Sequence, residues 1–266
     1  MVRKNMDFRD KKRIVIKLGT STLTHKTGKL NIRRMNRLVE VISDLYNAGK
    51  DIVIVSSGAV GLGLGKLGLN RKNNPDTPTK QAAAAIGQSE LMYLYDDLFG
   101  RYGITVAQLL LTKVIIETER KKNVENTFMK LLEYGVIPIV NENDTVAIDE
   151  LELEIGENDY LSALVAKISG ADLLMILSDI DGLYDCDPNK SDNAELIPEV
   201  TEIEDVEHLA GGTSGAFGKG GMLTKINAAK IATEAGIDVV IMNGKDPLKI
   251  YDLLDNKPVG TIFTAN

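Results

Sequence analysis

The chain has 266 residues, of which 44% are hydrophobic, and its formal net charge is -7. This composition supports a buried core, and the acidic balance argues against a nucleic-acid-binding protein, which usually presents a basic face. The single cysteine, Cys186, excludes an internal disulfide framework, and His25 and His208 lack the spacing of zinc ligands. No apolar run is long enough for a signal peptide or a membrane span, so we expect a soluble cytoplasmic protein.

Short β-branched runs alternate with helical patterns along the whole chain. In chain order, strands are predicted over residues 13–18, 51–56, 105–110, 136–140, 172–177 and 238–242, and helices over residues 31–48, 80–102, 119–133, 159–169, 222–234 and 247–254. A glycine follows five of these helices just before the next strand, at Gly49, Gly103, Gly135, Gly170 and Gly236. Continuously apolar strands separated by helices predict an α/β fold, with a mainly parallel central sheet and helices on both faces.

Two segments interrupt this alternation. Residues 58–78 are rich in Gly, Asn and Pro and are predicted to form a long loop after one helical turn. Within them, residues 63–68 match Gly-x-Gly-x-x-Gly but do not lie between a strand and a long helix, so we interpret them as a flexible loop. Residues 144–156 are acidic and weakly alternating, which favours an excursion or hairpin near a site entrance.

Two lysines lie in glycine-rich contexts at opposite ends of the chain. Lys17 belongs to the sequence Lys-Leu-Gly-Thr-Ser at the end of a short apolar strand, and Lys225 ends the sequence Gly-Lys-Gly-Gly-Met-Leu-Thr-Lys. Backbone N–H groups and an ammonium group at such turns can bind an anion, and neither turn is a Walker loop. Each lysine alone could be a surface residue beside an ordinary turn, but the pair favours phosphoryl transfer.

Polar residues follow three further strands, at the edge where parallel sheets bind ligands. Residues 56–59, Ser-Ser-Gly-Ala, would either contact a carboxylate or phosphate or cap the next helix. Residues 141–144 and residues 158–159 carry Asn-Asp pairs that could recognise the ammonium and carboxylate groups of an amino acid, or serve as turn and capping residues. Ser178 and Asp179 suit either a nucleotide contact or a plain turn.

The chain resembles the amino acid kinase superfamily, and within it most closely the glutamate 5-kinase (γ-glutamyl kinase) family. The resemblance covers essentially the whole chain and is carried by residues 15–21, 55–59, 81–88, 108–112, 140–144, 158–159 and 220–225. Its most specific part is Lys-Leu-Gly-Thr-Ser combined with Asn-Glu-Asn-Asp, which points away from the aspartokinase, acetylglutamate kinase and uridylate kinase branches. The resemblance implies one amino acid kinase domain over residues 1–266, with an amino-acid-binding part in residues 1–170 and a nucleotide-binding part in residues 171–266. Many members continue into an RNA-binding-like PUA domain, and this chain looks like the short form without it.

The resemblance also implies an activity: transfer of the ATP γ-phosphoryl group, with Mg²⁺, to the side-chain carboxylate of L-glutamate, the first step toward proline. It implies that Lys17 and Lys225 stabilise the transferred group, that Asp159 holds the lysines, and that glutamate is bound by Ser57, Asp144 and Asn158. It implies ATP contacts from Lys17, Ser178, Asp179, Lys219, Gly220, Gly221, Met222, Leu223, Thr224 and Lys225. Because the acceptor carboxyl has a pKa of about 4.3 and is ionised at neutral pH, a catalytic histidine is not needed.

Other functions stay open. The chain could be a superfamily member that acts on a different carboxylate or phosphate, or a non-catalytic amino-acid sensor, while the acidic balance disfavours an RNA-binding module. We expect a homo-oligomer without nucleic-acid or membrane partners. Proline as a feedback inhibitor, bound at the glutamate subsite under residues 58–78, and handover of the labile product to glutamyl phosphate reductase are further hypotheses.

Overall fold

The computed structural model describes residues 7–25, 29–69, 75–112, 120–146, 157–188, 190–210 and 221–265. Within these ranges the chain forms the strands β1 (Arg13–Leu18), β2 (Asp51–Ser56), β3 (Val106–Leu111), β4 (Ile137–Glu142), β5 (Leu173–Ser178), β6 (Glu199–Val200), β7 (Asp238–Asn243) and β8 (Thr261–Phe263). They build one sheet in the order β3-β4-β2-β1-β5-β7-β8-β6. Every described strand pair is parallel except β7 with β8, which confirms the predicted mainly parallel sheet.

Helices alternate with the strands, as predicted. They are α1 (Thr20–Leu23), α2 (Ile32–Asn47), α3 (Ala59–Lys66), α4 (Thr77–Gly100), α5 (Lys121–Glu133), α6 (Glu157–Ser169), α7 (Glu207–Ala210), α8 (Gly221–Thr233) and α9 (Lys249–Leu254). Asn31 and Asp76 cap α2 and α4, because each side chain accepts a hydrogen bond from a backbone N–H of the first turn. The five predicted helix-ending glycines have φ angles between 64° and 89°, a conformation that glycine adopts without strain.

Successive residues of the central strands alternate between two hydrophobic cores. Val15 and Leu174 belong to the core that contains side chains of α5, α6 and α8. Ile14 and Leu173 belong to the core that contains side chains of α2, α4 and α9. Burial on both faces explains why these strands are continuously apolar, and it confirms the predicted placement of helices on both faces of the sheet.

The prediction of a long loop over residues 58–78 was wrong in part. Residues Ala59–Lys66 form α3 and α4 begins at Thr77, while residues 70–74 lie outside the described ranges. A Cβ atom at Gly63 would lie 1.8 Å from the carbonyl oxygen of Ala83, and one at Gly87 would lie 1.8 Å from that of Ala59. The Gly-x-Gly-x-x-Gly segment is therefore not a flexible loop, because its first two glycines belong to α3 and Gly63 allows α3 and α4 to pack closely.

Several short elements were not predicted, among them the helices α1 and α7 and the strands β6 and β8. The expected excursion over residues 144–156 falls mostly outside the described ranges and stays a prediction. In the described part of the chain, no helix has the length and apolar character needed to cross a membrane.

Candidate active site

A cavity of about 510 Å³ opens where the carboxyl ends of β4, β2, β1 and β5 lie side by side. This is the edge at which parallel α/β sheets bind their ligands. The first turns of α6 and α8 complete its wall. The lining residues are Lys17, Gly19, Thr20, Ser21, Ser57, Gly58, Ala59, Val60, Gly61, Asn141, Asp144, Asn158, Asp159, Asp179, Gly221, Thr224 and Lys225.

Two lysines share one buried carboxylate in this cavity. Asp159, in the first turn of α6, is 1% exposed. Lys17 Nζ lies 2.5 Å from Asp159 Oδ1, and Lys225 Nζ lies 3.1 Å from Asp159 Oδ2. Thr224 Oγ1 donates a hydrogen bond to Asp159 Oδ2 at 2.9 Å, and Lys225 Nζ also donates to the Gly221 carbonyl at 2.9 Å. Because two ammonium groups meet one carboxylate, this cluster keeps one positive charge in excess at the cavity.

Burial and charge shift the proton affinities of this cluster. Burial lowers the pKa of the Lys17 ammonium below its ordinary value; the nearby Lys225 charge adds to this, and Asp159 opposes it. Burial alone would raise the pKa of Asp159, but the two lysines and the hydrogen bonds from Lys17 and Thr224 outweigh it. The pKa of Asp159 is therefore below its ordinary value, so the carboxylate stays ionised.

A network of amide and hydroxyl side chains also lines the cavity. Asn158 Nδ2 donates to Ser57 Oγ at 2.8 Å and to Asn141 Oδ1 at 3.2 Å. Asn158 Oδ1 is buried and accepts no hydrogen bond from any described residue. Asp144 lines the same region. A carbonyl oxygen that can accept a further hydrogen bond, in a cavity that a carboxylate also lines, is a suitable environment for an ammonium group.

Ser56, the last residue of β2, and Ser57, which follows it, have different roles. Ser56 Oγ is fully buried and lies 2.8 Å from the hydroxyl oxygen of Tyr95, within hydrogen-bonding distance, whereas Ser57 lines the cavity. Helix α3 begins after Gly58, whose φ of 113° turns the chain, and no side chain caps it. The alternative prediction that these serines cap the next helix was therefore wrong.

The predicted site residues fall into four groups. All three predicted catalytic residues and all three predicted glutamate contacts line the cavity, as do five of the ten predicted ATP contacts: Lys17, Asp179, Gly221, Thr224 and Lys225. Ser178 is buried beside it, and its hydroxyl donates to Asp179 Oδ1 at 3.2 Å. Met222 packs in the core and Leu223 is exposed, so neither lines the cavity. Lys219 and Gly220 lie outside the described residues. The ATP contacts predicted for Met222, Leu223, Lys219 and Gly220 stay predictions.

Sequence reasoning missed the role of two amide side chains. Asn141 was assigned only to a polar strand end, and Gln88 was not singled out. Asn141 Nδ2 donates to Gln88 Oε1 at 2.9 Å, and both residues are buried. One feature of the sequence could have pointed to Gln88. It is a polar amide at helical spacing from Ala84 and Leu91, which are buried in α4.

Comparison with known proteins places this site in a family. The chain matches the amino acid kinase family over residues 12–243. It is 51% identical over 263 residues to the glutamate 5-kinase of Clostridium perfringens, with 97% of both chains covered. It is 52% identical over 255 residues to the glutamate 5-kinase of Moorella thermoacetica, covering 95% of this chain and 66% of that relative.

Among solved structures, the UMP kinase of Bacillus anthracis has a TM-score of 0.68 at 15% identity, with 96% of this chain and 97% of that chain covered. At this identity the similarity concerns the fold alone. The family match spans most of the chain, and the sequence relatives share about half of its residues. The chain therefore belongs to the amino acid kinase family, within its glutamate 5-kinases.

Proposed function

We propose that this chain transfers the γ-phosphoryl group of ATP to the side-chain carboxylate of L-glutamate, giving L-glutamyl 5-phosphate and ADP, the first step of proline biosynthesis. The observation that carries the proposal is the pair of buried lysines on one carboxylate at the edge of the cavity. The names of the sequence relatives support the choice of L-glutamate as acceptor.

The difficulty of this reaction is that one anion must approach another. A carboxylate oxygen of glutamate attacks the γ-phosphorus, the bond from that phosphorus to the bridging oxygen breaks, and ADP leaves with the electron pair. No proton has to be removed from the acceptor, since its carboxyl group is already ionised. The excess positive charge of Lys17 and Lys225 stabilises the charge that builds up on the transferred group. Asp159 holds the two ammonium groups in place.

The α-ammonium and α-carboxylate groups of glutamate are bound by the polar network of Ser57, Asn158 and Asp144. Asn158 Oδ1 and the Asp144 carboxylate accept hydrogen bonds from the α-ammonium group. Ser57 Oγ accepts a hydrogen bond from Asn158 Nδ2, which leaves the Ser57 hydroxyl hydrogen to donate to the α-carboxylate. These contacts direct the side-chain carboxylate of glutamate toward the two lysines.

ATP is bound on the side of the cavity formed by Asp179 and the first turn of α8. The residues there fit a Mg²⁺ ion that arrives with the nucleotide, because such an ion is held mostly by phosphates and one or two carboxylates. In the described part of the chain, no three His, Cys, Asp or Glu side chains are grouped to hold a metal without the nucleotide. Asp179 would hold the ion, since Asp159 is paired with both lysines, and the bound ion would neutralise phosphate charge.

Trapping the product tests this proposal. The protein is incubated with ATP, Mg²⁺, L-glutamate and hydroxylamine, which converts an acyl phosphate to a stable hydroxamate. We expect hydroxamate and ADP in equal amounts, both dependent on L-glutamate. Hydroxamate formed only with L-aspartate or N-acetyl-L-glutamate, or phosphorylation of UMP, would assign another acceptor. Binding of L-glutamate or proline without ATP consumption would indicate a sensor.

The partners of the reaction are also proposals. Proline carries an α-carboxylate and an α-ammonium group, so it would compete with glutamate for Ser57, Asn158 and Asp144. The acyl phosphate product is labile, which favours direct uptake by a glutamyl phosphate reductase. We place the protein in the cytoplasm as a homo-oligomer.

A further inference from the structure

A chain of three amide side chains runs from α4 to the cavity. Gln88 Oε1 accepts from Asn141 Nδ2 at 2.9 Å, and Asn141 Oδ1 accepts from Asn158 Nδ2 at 3.2 Å. Gln88 is 7% exposed and Asn141 is 2% exposed. We call Gln88, Asn141 and Asn158 the amide relay. Gln88 is at its buried end, and Asn158, which lines the cavity, is at the other.

Each end of the amide relay has an atom without a hydrogen-bond partner in the described part of the chain, a donor at one end and an acceptor at the other. Gln88 Nε2, a donor, and Asn158 Oδ1, an acceptor, are both buried and have no hydrogen-bond partner among the described residues. Both hydrogens of Asn158 Nδ2 are used, one by Asn141 and the other by Ser57. The capacity that Asn158 retains for a ligand is therefore that of an acceptor only.

The amide relay has a direction, because each amide has a donor and an acceptor side. If all three amides were reversed, Gln88 Nε2 would donate to Asn141 Oδ1, and Asn141 Nδ2 would donate to Asn158 Oδ1. Asn158 would then have an unused NH₂ group, which accepts nothing and disfavours an ammonium group. The direction of the relay therefore decides whether the cavity accepts from a cation or donates to an anion at this point.

We propose that Gln88 is a positioning residue that fixes the direction of the amide relay and so makes the cavity select an α-ammonium group. It touches no substrate and acts through Asn141, whose NH₂ group donates to Gln88 Oε1. The selected ligand class is an amino acid, in preference to the dicarboxylic acid of the same length without the amine. This assignment rests on the proposed function, because it takes L-glutamate as the ligand.

The Gln88→Met variant tests the assignment, since methionine is close to glutamine in shape but can neither accept from nor donate to Asn141 as an amide does. We expect the KM for L-glutamate to rise about tenfold, equivalent to about 1.4 kcal/mol of binding free energy. The kcat should change by less than about threefold and the KM for ATP should not change, because the hydrogen bonds of the amide relay go to Ser57 and to its own members and not to the lysine cluster. Gln88→Glu keeps the acceptor, and its KM for L-glutamate should stay within about threefold of the wild-type value.

A second ligand separates this role from a general loosening of the fold. Glutarate has both carboxylates of glutamate but no ammonium group, so its inhibition constant against L-glutamate should be the same in Gln88→Met as in the wild type. Tyr95→Phe is the matched control, because it removes a buried hydrogen bond on the same helix outside the relay. It should leave the KM for L-glutamate within about twofold of the wild-type value.

Three outcomes would overturn the assignment. They are an unchanged KM for L-glutamate in Gln88→Met, equal weakening of L-glutamate and glutarate in that variant, and a tenfold rise in the KM of Gln88→Glu. The last outcome decides the matter even when Gln88→Met does not fold. A wild-type protein that does not bind L-glutamate would instead overturn the proposed function, and this assignment with it.

Discussion

Asp159 forms ion pairs with both Lys17 and Lys225, which are 208 positions apart in the sequence. The carboxylate neutralises one of the two charges and orients both ammonium groups. Removal of either lysine therefore leaves a neutral pair, without the excess positive charge that the transferred phosphoryl group needs. Neither lysine can replace the other, because one belongs to β1 and the other to α8.

We expect Lys17→Ala and Lys225→Ala each to lower kcat by more than a hundredfold, since one such donor typically contributes about 3–4 kcal/mol to catalysis. Steady-state release of ADP with saturating L-glutamate measures the effect. Far-UV circular dichroism shows whether the fold persists. Near-normal turnover by folded Lys225→Ala would remove that lysine from the catalytic assignment.

The pH dependence of turnover should report the Lys17 ammonium. Since the pKa of Lys17 is lowered by burial, activity is complete below that pKa and is lost as the pH rises through it. Asp159→Asn removes the group that raises the pKa of Lys17, so the alkaline limb of the kcat profile should move to lower pH. Lys225→Ala removes a charge that lowers the pKa of Lys17, so its residual activity should have an alkaline limb at higher pH. If the alkaline limb of the kcat profile moved in the same direction in both variants, the assignment of that limb to Lys17 would be wrong.

At the scale of elements, the contact of α3 with α4 positions the wall of the cavity. Gly58 to Gly61 line the cavity at the start of α3, and Gln88 follows Gly87 in α4. The two glycine contacts, Gly63 on Ala83 and Gly87 on Ala59, are reciprocal and involve backbone atoms that no side-chain rotation can move away. The distance between the helices is therefore fixed by glycine at these positions.

Gly87→Ala should destabilise the protein by about 3 kcal/mol, at the upper end of typical overpacking, because the added Cβ meets backbone. Gly65→Ala is the control on α3: nothing lies within 4 Å of its added Cβ, and alanine favours the helix. It should stabilise by about 0.5–1 kcal/mol. Urea unfolding measures both. Equal stability changes in the two variants would show that the close contact is not what requires glycine.

The sequence predicted the central elements well and the packing-dependent ones poorly. Strands β1 and β2 were predicted at their observed bounds, because burial on both faces leaves a continuous apolar run. Helix α3 was predicted as a loop, because glycine disfavours helices locally and the compensating contact with α4 is tertiary. Strands β6 and β8 have two and three residues, too few for a pattern. The lysines and Asn-Asp pairs were found through their motifs, whereas Gln88 acquires its role only through a partner 53 positions away.

At the scale of the whole molecule, the lysine cluster ties together β1, α6 and α8, which come from the beginning, middle and end of the chain. Asp159→Ala would leave two buried ammonium groups without their carboxylate, and we expect a loss of about 3–5 kcal/mol of unfolding free energy. The triple variant Lys17→Met/Asp159→Leu/Lys225→Met removes all three charges and should recover most of that loss while lacking activity. Urea unfolding compares the two, and a triple variant no more stable than Asp159→Ala would refute the argument.

The central position of β1 has a consequence for the synthesis of the chain. β1 pairs with β2 on one side and with β5 on the other, where Ile14 lies opposite Leu173. On the ribosome, β2 follows soon after β1, but β5 emerges only after a long intervening stretch that includes β3 and β4. Among the described strands, β1 therefore waits longest for the partner on its second edge. Until β5 arrives, that edge presents unpaired backbone groups and apolar side chains on which another unfinished chain could add a strand.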